Sequence, residues 1–308
     1  MTGGLIGAVD IAGTKIAVGV VHPDGFVLSS DQCPTQPERG FEDAIQRIAG
    51  MLGRCADGRT LVGIGVGCTG PVDPLLGVVG DVEFLPGWKG GNLSLELEKL
   101  TGLLAVIEND ADAAALGEAA WGVGRGSERF IYVTLSTGIG VGLVFDGRLY
   151  RGVGGAHPEI GHHVIQADGP LCPCGVRGCW EALASGTALA ELSPPLSAAQ
   201  VCARAEAGDS QALTAVGRVA RFMGVGLANL VTLYTPDVIA LGGGLMKSRQ
   251  LFWPTILEVI RDQCRLVPYE NTRLIPAGLG EQVGLVGAAA AWLNRQHPDE
   301  NENDPLYR

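Results

Sequence analysis

Apolar residues follow two rhythms along this chain. Residues 4–21, GLIGAVDIAGTKIAVGVV, run or alternate apolar around the break A-G-T-K and show no 3.6-residue stripe. That pattern predicts a strand, a tight turn at Gly13 and a second strand. Residues 41–52 carry apolar positions at helical spacing, and residues 61–66 read as a strand. Residues 104–107 form a short strand that runs into Glu108-Asn109-Asp110 and an alanine-rich helix. The opening then recurs: residues 130–135 predict a strand, S-T-G-I-G-V-G a glycine-rich turn, and residues 143–145 a returning strand. Residues 198–233 predict helices parted by Gly208-Asp209, and 237–241 a strand leading into Gly242-Gly243-Gly244. A last strand at 274–276 and a helix at 285–293 follow, before a polar tail from Gln296 that is expected to fray. A hairpin opening each half, with strands alternating with helices behind it, reads as an α/β chain of two similar halves.

Composition narrows the class. With 308 residues, 46% hydrophobic and 18% charged, the chain has length for two domains and the balance of an ordinary folded protein. Its 47 glycines are about twice the usual share, as close backbone approach to a ligand or many tight turns would require. The formal charge of -11 comes without a basic cluster, which argues against nucleic acid as a partner. Asp10 interrupts the first apolar run and no charged n-region precedes it, against a signal peptide; the charge-free stretch 130–145 is too short to cross a membrane. Cys33, Cys55, Cys68, Cys202 and Cys264 are scattered as reduced thiols would be, so the expected compartment is the cytoplasm.

Chemistry is densest between Gly155 and Gly186. Cys172, Cys174 and Cys179 follow His162 and His163, with Glu159 and Glu181 framing the group. Three thiolates and one imidazole are a structural zinc donor set, although the C-x-C-x4-C spacing is also open to three buried thiols behaving as small hydrophobes. His157, His162 and His163 compete for the fourth position on residue type alone. The D-x-x-G-T-K turn of Asp10, Gly13, Thr14 and Lys15 can be a plain hairpin or a phosphate cradle. Asn109 and Asp110 at a strand-to-helix junction suit an N-cap as well as a catalytic carboxylate. Asp112, Glu118 and Glu128 are expected on solvated helix faces or loops.

The run E-I-G-H followed by C-P-C-G-V-R-G-C-W-E resembles the signature of the ROK family of sugar kinases and sugar-responsive repressors. D-I-A-G-T-K, G-C-T-G-P-V-D, F-L-P-G-W and E-N-D extend the resemblance, with Ala12, Thr69 and Phe84 departing from the family's glycine, proline and asparagine. The resemblance implies a two-lobed actin-like ATPase fold, ribonuclease H-like, with a ligand cleft between lobes and a structural zinc loop. The lobes would comprise residues 1–117, completed by the C-terminal helix 285–308, and residues 118–284 with the zinc segment 155–186.

The same resemblance distributes roles. Asp110 would be the general base; Gly70, Asn109, Glu159, His162 and Glu181 would contact the sugar. Asp10, Gly13, Thr14 and Lys15, Thr137 and Gly138, and Gly242 and Gly243 would hold the nucleotide. His162, Cys172, Cys174 and Cys179 would bind zinc. The implied activity is ATP- and Mg2+-dependent phosphorylation of the 6-hydroxyl of a hexose, glucose first, with mannose, fructose and N-acetylmannosamine as alternatives. A non-catalytic sugar-binding protein is disfavoured by Asp110, and a repressor by the lack of a winged helix before Asp10. Family members are often dimers or tetramers, which makes a homodimer or homotetramer the expected assembly.

Overall fold

The computed structural model describes residues 4–296. Beyond Gln296, the tail expected to fray and the far end of the expected helix 285–308 fall on residues 297–308, outside the described residues. Two compact units form, the first from Met1–Arg125, Gly147–His157 and Gly278–Arg308, the second from Gly126–Asp146 and Pro158–Ala277.

In the first unit the chain runs β1 (Leu5–Ile11), β2 (Lys15–Val21), β3 (Val27–Pro34), α1 (Phe41–Ala56), β4 (Leu61–Cys68), a small β5–β6 ribbon (Val72–Asp73, Val78–Val79), α2 (Leu93–Thr101), β7 (Ala105–Asn109) and α3 (Asp110–Trp121). The sheet order is β3-β2-β1-β4-β7, antiparallel across the opening hairpin and parallel from β1 through β4 to β7. Both faces are covered, which is why β1 reads as nearly continuous apolar sequence. Val9 and Ile11 join α1's Ile45 and Ile48 on one face. Ile6 and Ala8 meet Leu285, Ala288, Ala289 and Trp292 of the closing helix on the other. That i, i+3, i+4, i+7 stripe is the one the sequence predicts for residues 285–293. The helix sits hard against β4, where a Cβ on Gly65 would stand 1.8 Å from the Ala288 carbonyl oxygen.

Alpha-helix α3 is buried nearly all round, and this overturns one expectation. Asp112 and Glu118 are 0% exposed rather than on solvated faces, whereas Glu128 is exposed as anticipated. A carboxylate inside a core persists only with hydrogen-bond donors around it. Glu118 accepts from the backbone N–H of Val123 at 3.0 Å and from those of Gly278 and Leu279, both at 2.8 Å. It thereby fastens the segments after α3 and before the closing helix. The short strand β10 (Arg148–Leu149) opens the 147–157 segment, which is bound to the same helix through Arg151 and His157.

The second unit repeats the plan. An antiparallel hairpin, β8 (Arg129–Leu135) and β9 (Ile139–Phe145), leads to parallel β11 (Val238–Gly242) and β12 (Arg273–Pro276), in order β9-β8-β11-β12. Its helices are α4 (Trp180–Ala184), α5 (Gly186–Glu191), α6 (Ala198–Glu206), α7 (Ser210–Tyr234) and α8 (Arg249–Gln263); the closing helix of the first unit is α9 (Val283–Arg295). Gly208 in the left-handed region ends one helix, and the Asp209 carboxylate caps the next by accepting from Gln211 and Ala212 N–H. Helix α7 is long and apolar enough by composition to cross a membrane, yet Val216, Val219, Met223, Leu227 and Val231 along it are buried in this unit's core with Ile131 and Val133.

The β4–α9 contact sets a direct test. Gly65→Ala is expected to lower the melting temperature sharply, because the intruding atom meets backbone that cannot step aside. Gly53→Ala, in open space within α1, is expected to raise stability by about 0.5–1 kcal/mol. Equal effects of the two substitutions in thermal unfolding would contradict this packing.

Candidate active site and metal centre

In the first unit the candidates gather at the C-terminal ends of parallel strands, where open α/β sheets place ligands. Strand register puts Asp10, Gly67 and Glu108 in one row and Ile11, Cys68 and Asn109 in the next. Asp10 lies at the start of α9, where a Cβ on Gly284 would come within 2.3 Å of its Oδ2. Burial pushes its carboxyl above the usual range, opposed by Lys15. The adjoining turn closes through Ala12 N–H to Lys15 O at 3.0 Å. Buried Thr35, which sequence reasoning missed, clasps it from β3's end by donating its hydroxyl to Ala12 O at 2.6 Å.

Ala12 is unstrained: the positive-φ non-glycine residues among those described are Gln36, Asp57, Asp146 and Thr235. Thr14 and Lys15 are exposed. Gly13 admits the side chain of Phe84, whose Cβ would lie 2.7 Å from a Cβ added there.

Asn109 caps α3, its Oδ1 accepting from Ala111 and Asp112 N–H, while its Nδ2 donates to Gly70 O at 3.3 Å. Asp110 is the first residue of the helix and accepts from Ala111 N–H at 2.8 Å. Burial, reinforced by Asp10, pushes its carboxyl up to about 7, against the Ala111 N–H and His157, which hold it down. Beneath it the Cys68 thiol is driven above its usual value by burial and by these two carboxylates.

In the second unit exposed Thr137 and half-buried Gly138 form the turn between β8 and β9. Thr187 holds this turn by donating its N–H and hydroxyl to Thr137 O at 3.2 and 3.0 Å. Glu181 reaches the turn from α4, its Oε2 accepting Ile139 N–H at 2.8 Å over the space that the missing Cβ of Gly138 leaves. Its Oε1 stands 4.0 Å from His162 Nε2. Gly242 and Gly243 end β11 beside β8, Gly243 within van der Waals reach of Leu135 backbone. Glu159 is exposed, and its backbone carbonyl accepts from His162 N–H.

The ligand atoms of His162, Cys172, Cys174 and Cys179 all lie within 4.8 Å of one another. Cys172 Sγ is 3.4 Å from His162 Nδ1, and Cys174 Sγ is 3.5 Å from Cys179 Sγ. An ion bound tetrahedrally at about 2.3 Å from sulfur keeps its ligand atoms about 3.7 Å apart, so the cluster is one that could bind zinc. Burial and the two neighbouring thiols push Cys179 up to about 12, a cost that a cation among the sulfurs removes.

The three histidines are now distinguished. His163 has Nδ1 bonded to Ile160 O and Nε2 facing the Asn229 amide. His157 pairs with Asp112 in the first unit. Only His162 of the three joins the thiols.

The ROK family model matches residues 6–295. A glucokinase from Thermotoga maritima is 34% identical over 305 residues, covering 93% of this chain and 96% of its own. A ROK hexokinase from Thermus thermophilus superposes with a TM-score of 0.85 at 36% identity, over 95% of this chain and 99% of that one. A ROK family glucokinase from Streptomyces griseus, in complex with glucose and AMPPNP, gives 0.82 at 34% identity over 96% and 100%. These likenesses carry the actin-like ATPase fold to this chain.

The Asp110 environment yields a prediction of definite sign. Its folded pKa of about 7 lies above the ordinary carboxylate value, so the group costs no stability in acid and an increasing amount as pH rises between the two. Asp110→Asn is therefore expected to raise the melting temperature at pH 8 and leave it nearly unchanged at pH 4. A variant less stable at pH 8 would contradict the raised pKa.

Proposed function

The chain belongs to the ROK family and is an ATP-dependent sugar kinase, and from that premise we propose that it phosphorylates the 6-hydroxyl of a hexose, with glucose preferred. The observation that carries the reading is Asp110, a carboxyl poised near neutrality at the end of β7, in the unit that also presents the Asp10–Lys15 turn. A sugar hydroxyl is a weak nucleophile, and a carboxylate that accepts its proton is most effective when its pKa lies near the working pH. Phosphoryl transfer otherwise depends on positioning and on neutralising phosphate charge.

Asp110 is the base. Its Oδ1, steadied by Ala111 N–H, orients the group while Oδ2 takes the proton of the attacking hydroxyl. Asn109 and the Gly70 loop, which are bonded to each other, contribute sugar contacts, as do Glu159, His162 and Glu181. The backbone of Gly13, Thr14, Thr137 and Gly138 cradles phosphate oxygens, Lys15 adds positive charge, and Gly242 and Gly243 border the rest of the nucleotide. Asp10 is the carboxylate that would hold a magnesium ion bound with ATP, which would supply charge neutralisation at the phosphate oxygens.

Zinc at His162, Cys172, Cys174 and Cys179 does no chemistry in this reading. His162 presents Nδ1 to the Cys172 thiol and Nε2 toward Glu181, so a metal held by the cluster would fix the ring with Nε2 on the Glu181 side. Cytoplasmic redox poise keeps the thiols available to the metal.

A coupled ADP-release assay over glucose, mannose, fructose, N-acetylglucosamine and N-acetylmannosamine is expected to show glucose turned over fastest. Asp110→Asn should cost about 10² to 10⁴-fold in kcat. No turnover on any sugar, or an unaffected variant, would sink the reading. Metal analysis is expected to find zinc, and Cys174→Ser should lose it while raising KM for the sugar and lowering the melting temperature. A metal-free protein with unchanged sugar affinity would show that the cluster has no bearing on the sugar.

A further inference from the structure

Asp110 is flanked in the chain by two acidic residues that the proposed reaction leaves unused. Glu108, at the end of β7, and Asp112, in the first turn of α3, have side chains only 8% and 0% exposed. Both reach one cation. Arg151 Nη2 pairs with Glu108 Oε2, and Arg151 Nη1 donates to Asp112 Oδ2 at 3.1 Å. His157 Nδ1 adds a contact to the same Asp112 oxygen at 2.8 Å. Glu108 Oε1 accepts from Asn109 N–H at 2.9 Å, so the backbone is gripped on the near side of Asp110 as well. The other oxygen of Asp112, Oδ1, is buried with no hydrogen-bond partner, so Arg151 and His157 are what hold that carboxylate.

A helix start does not need this much. Asn109 already caps α3, and buried charges are retained against a large desolvation cost. The network therefore serves the residue it brackets. We propose that Arg151 and His157 are positioning residues for Asp110: by holding the carboxylates at 108 and 112 they fix the backbone on both sides of it, and with it the direction its own carboxylate faces. This rests on the reading of Asp110 as the base, and it adds residues of the 147–157 segment to the machinery.

The charges around Asp110 make a two-signed test possible. Asp10 and Asp112 push its carboxyl up, His157 and the Ala111 N–H hold it down, and the Cys68 thiol feels its charge. Arg151, Glu108 and, through Asp10, Lys15 complete the set. Arg151→Lys keeps the positive charge but loses the fork that spans both carboxylates. It is expected to lower kcat about 10- to 100-fold with KM for ATP unchanged. The Asp110 carboxyl, followed by its carbon-13 resonance in the ligand-free protein, should titrate at higher pH in His157→Gln and at lower pH in Asp112→Asn.

Wild-type kcat in Arg151→Lys, or variants that lower only the melting temperature while the Asp110 titration stays in place, overturns the proposal. Should Arg151→Lys not fold, His157→Gln, whose amide still donates to Asp112, carries the test through the titration. That readout needs no turnover. Absence of sugar phosphorylation by the wild-type protein would count against the kinase reading, while an Asp110 titration unmoved in both variants would overturn this one.

Discussion

Burying charge inside α3 is the constraint from which the first unit's arrangement follows. The helix is packed against α9 so closely that a Cβ on Gly287 would stand 2.5 Å from the Ala113 carbonyl oxygen, and its residues from Ala111 to Glu118 are all buried. Carboxylates there must be answered from within the protein, and each is answered by chain that arrives from elsewhere in the sequence. Glu118 takes amides from residues 123, 278 and 279 at one end, and Glu108 and Asp112 take Arg151 and His157 at the other. Removing one partner of such a buried pair costs about 3–5 kcal/mol, mostly because the other charge is stranded. Electrostatic demand at one helix thus decides which distant segments the unit includes.

The same demand poises the chemistry. Asp110 follows the end of β7, two residues beyond the row that Glu108 shares with Asp10, and its carboxyl is held near neutrality by burial and like charge. A base made by an unfavourable environment needs a rigid one, since a carboxylate that could swing to water would recover its ordinary pKa. The second unit solves a related problem with thiols. Its E-I-G-H loop contributes His162 to the Cys/His cluster, and Glu181, whose Oε1 stands 4.0 Å from that ring, accepts a hydrogen bond from the β8–β9 turn.

Much of this is legible in the sequence, and what is not has identifiable reasons. Strands β1, β8 and β11 and helix α7 carry long apolar runs, so periodicity finds them within a residue or two of their observed ends. Strand β3 is half exposed along its length and rich in Ser29, Ser30, Asp31 and Gln32, so it lacks the apolar signal of its neighbours. Cys172, Cys174 and Cys179 lie close together in the chain and show their cluster directly, whereas residue type alone leaves His157, His162 and His163 open and the family resemblance singles out His162, the histidine that the structure brings to the thiols. Asp112 and Glu118 were the misleading residues. Acidic side chains on an alanine-rich helix look solvated, and only the positions of Arg151, His157 and Gly278 reveal that they are internal. A pairing across some forty residues leaves no local trace in composition.

The central claim is that the buried charges around α3 act on the reaction through Asp110. A double-mutant cycle on kcat tests it most directly, combining Arg151→Lys with Asp110→Asn. If Arg151 works by aiming that carboxylate, its substitution costs little once the carboxylate is gone, and the two effects are strongly non-additive. Full additivity, with Arg151→Lys lowering kcat as much in the Asp110→Asn background as in the wild type, would contradict the account.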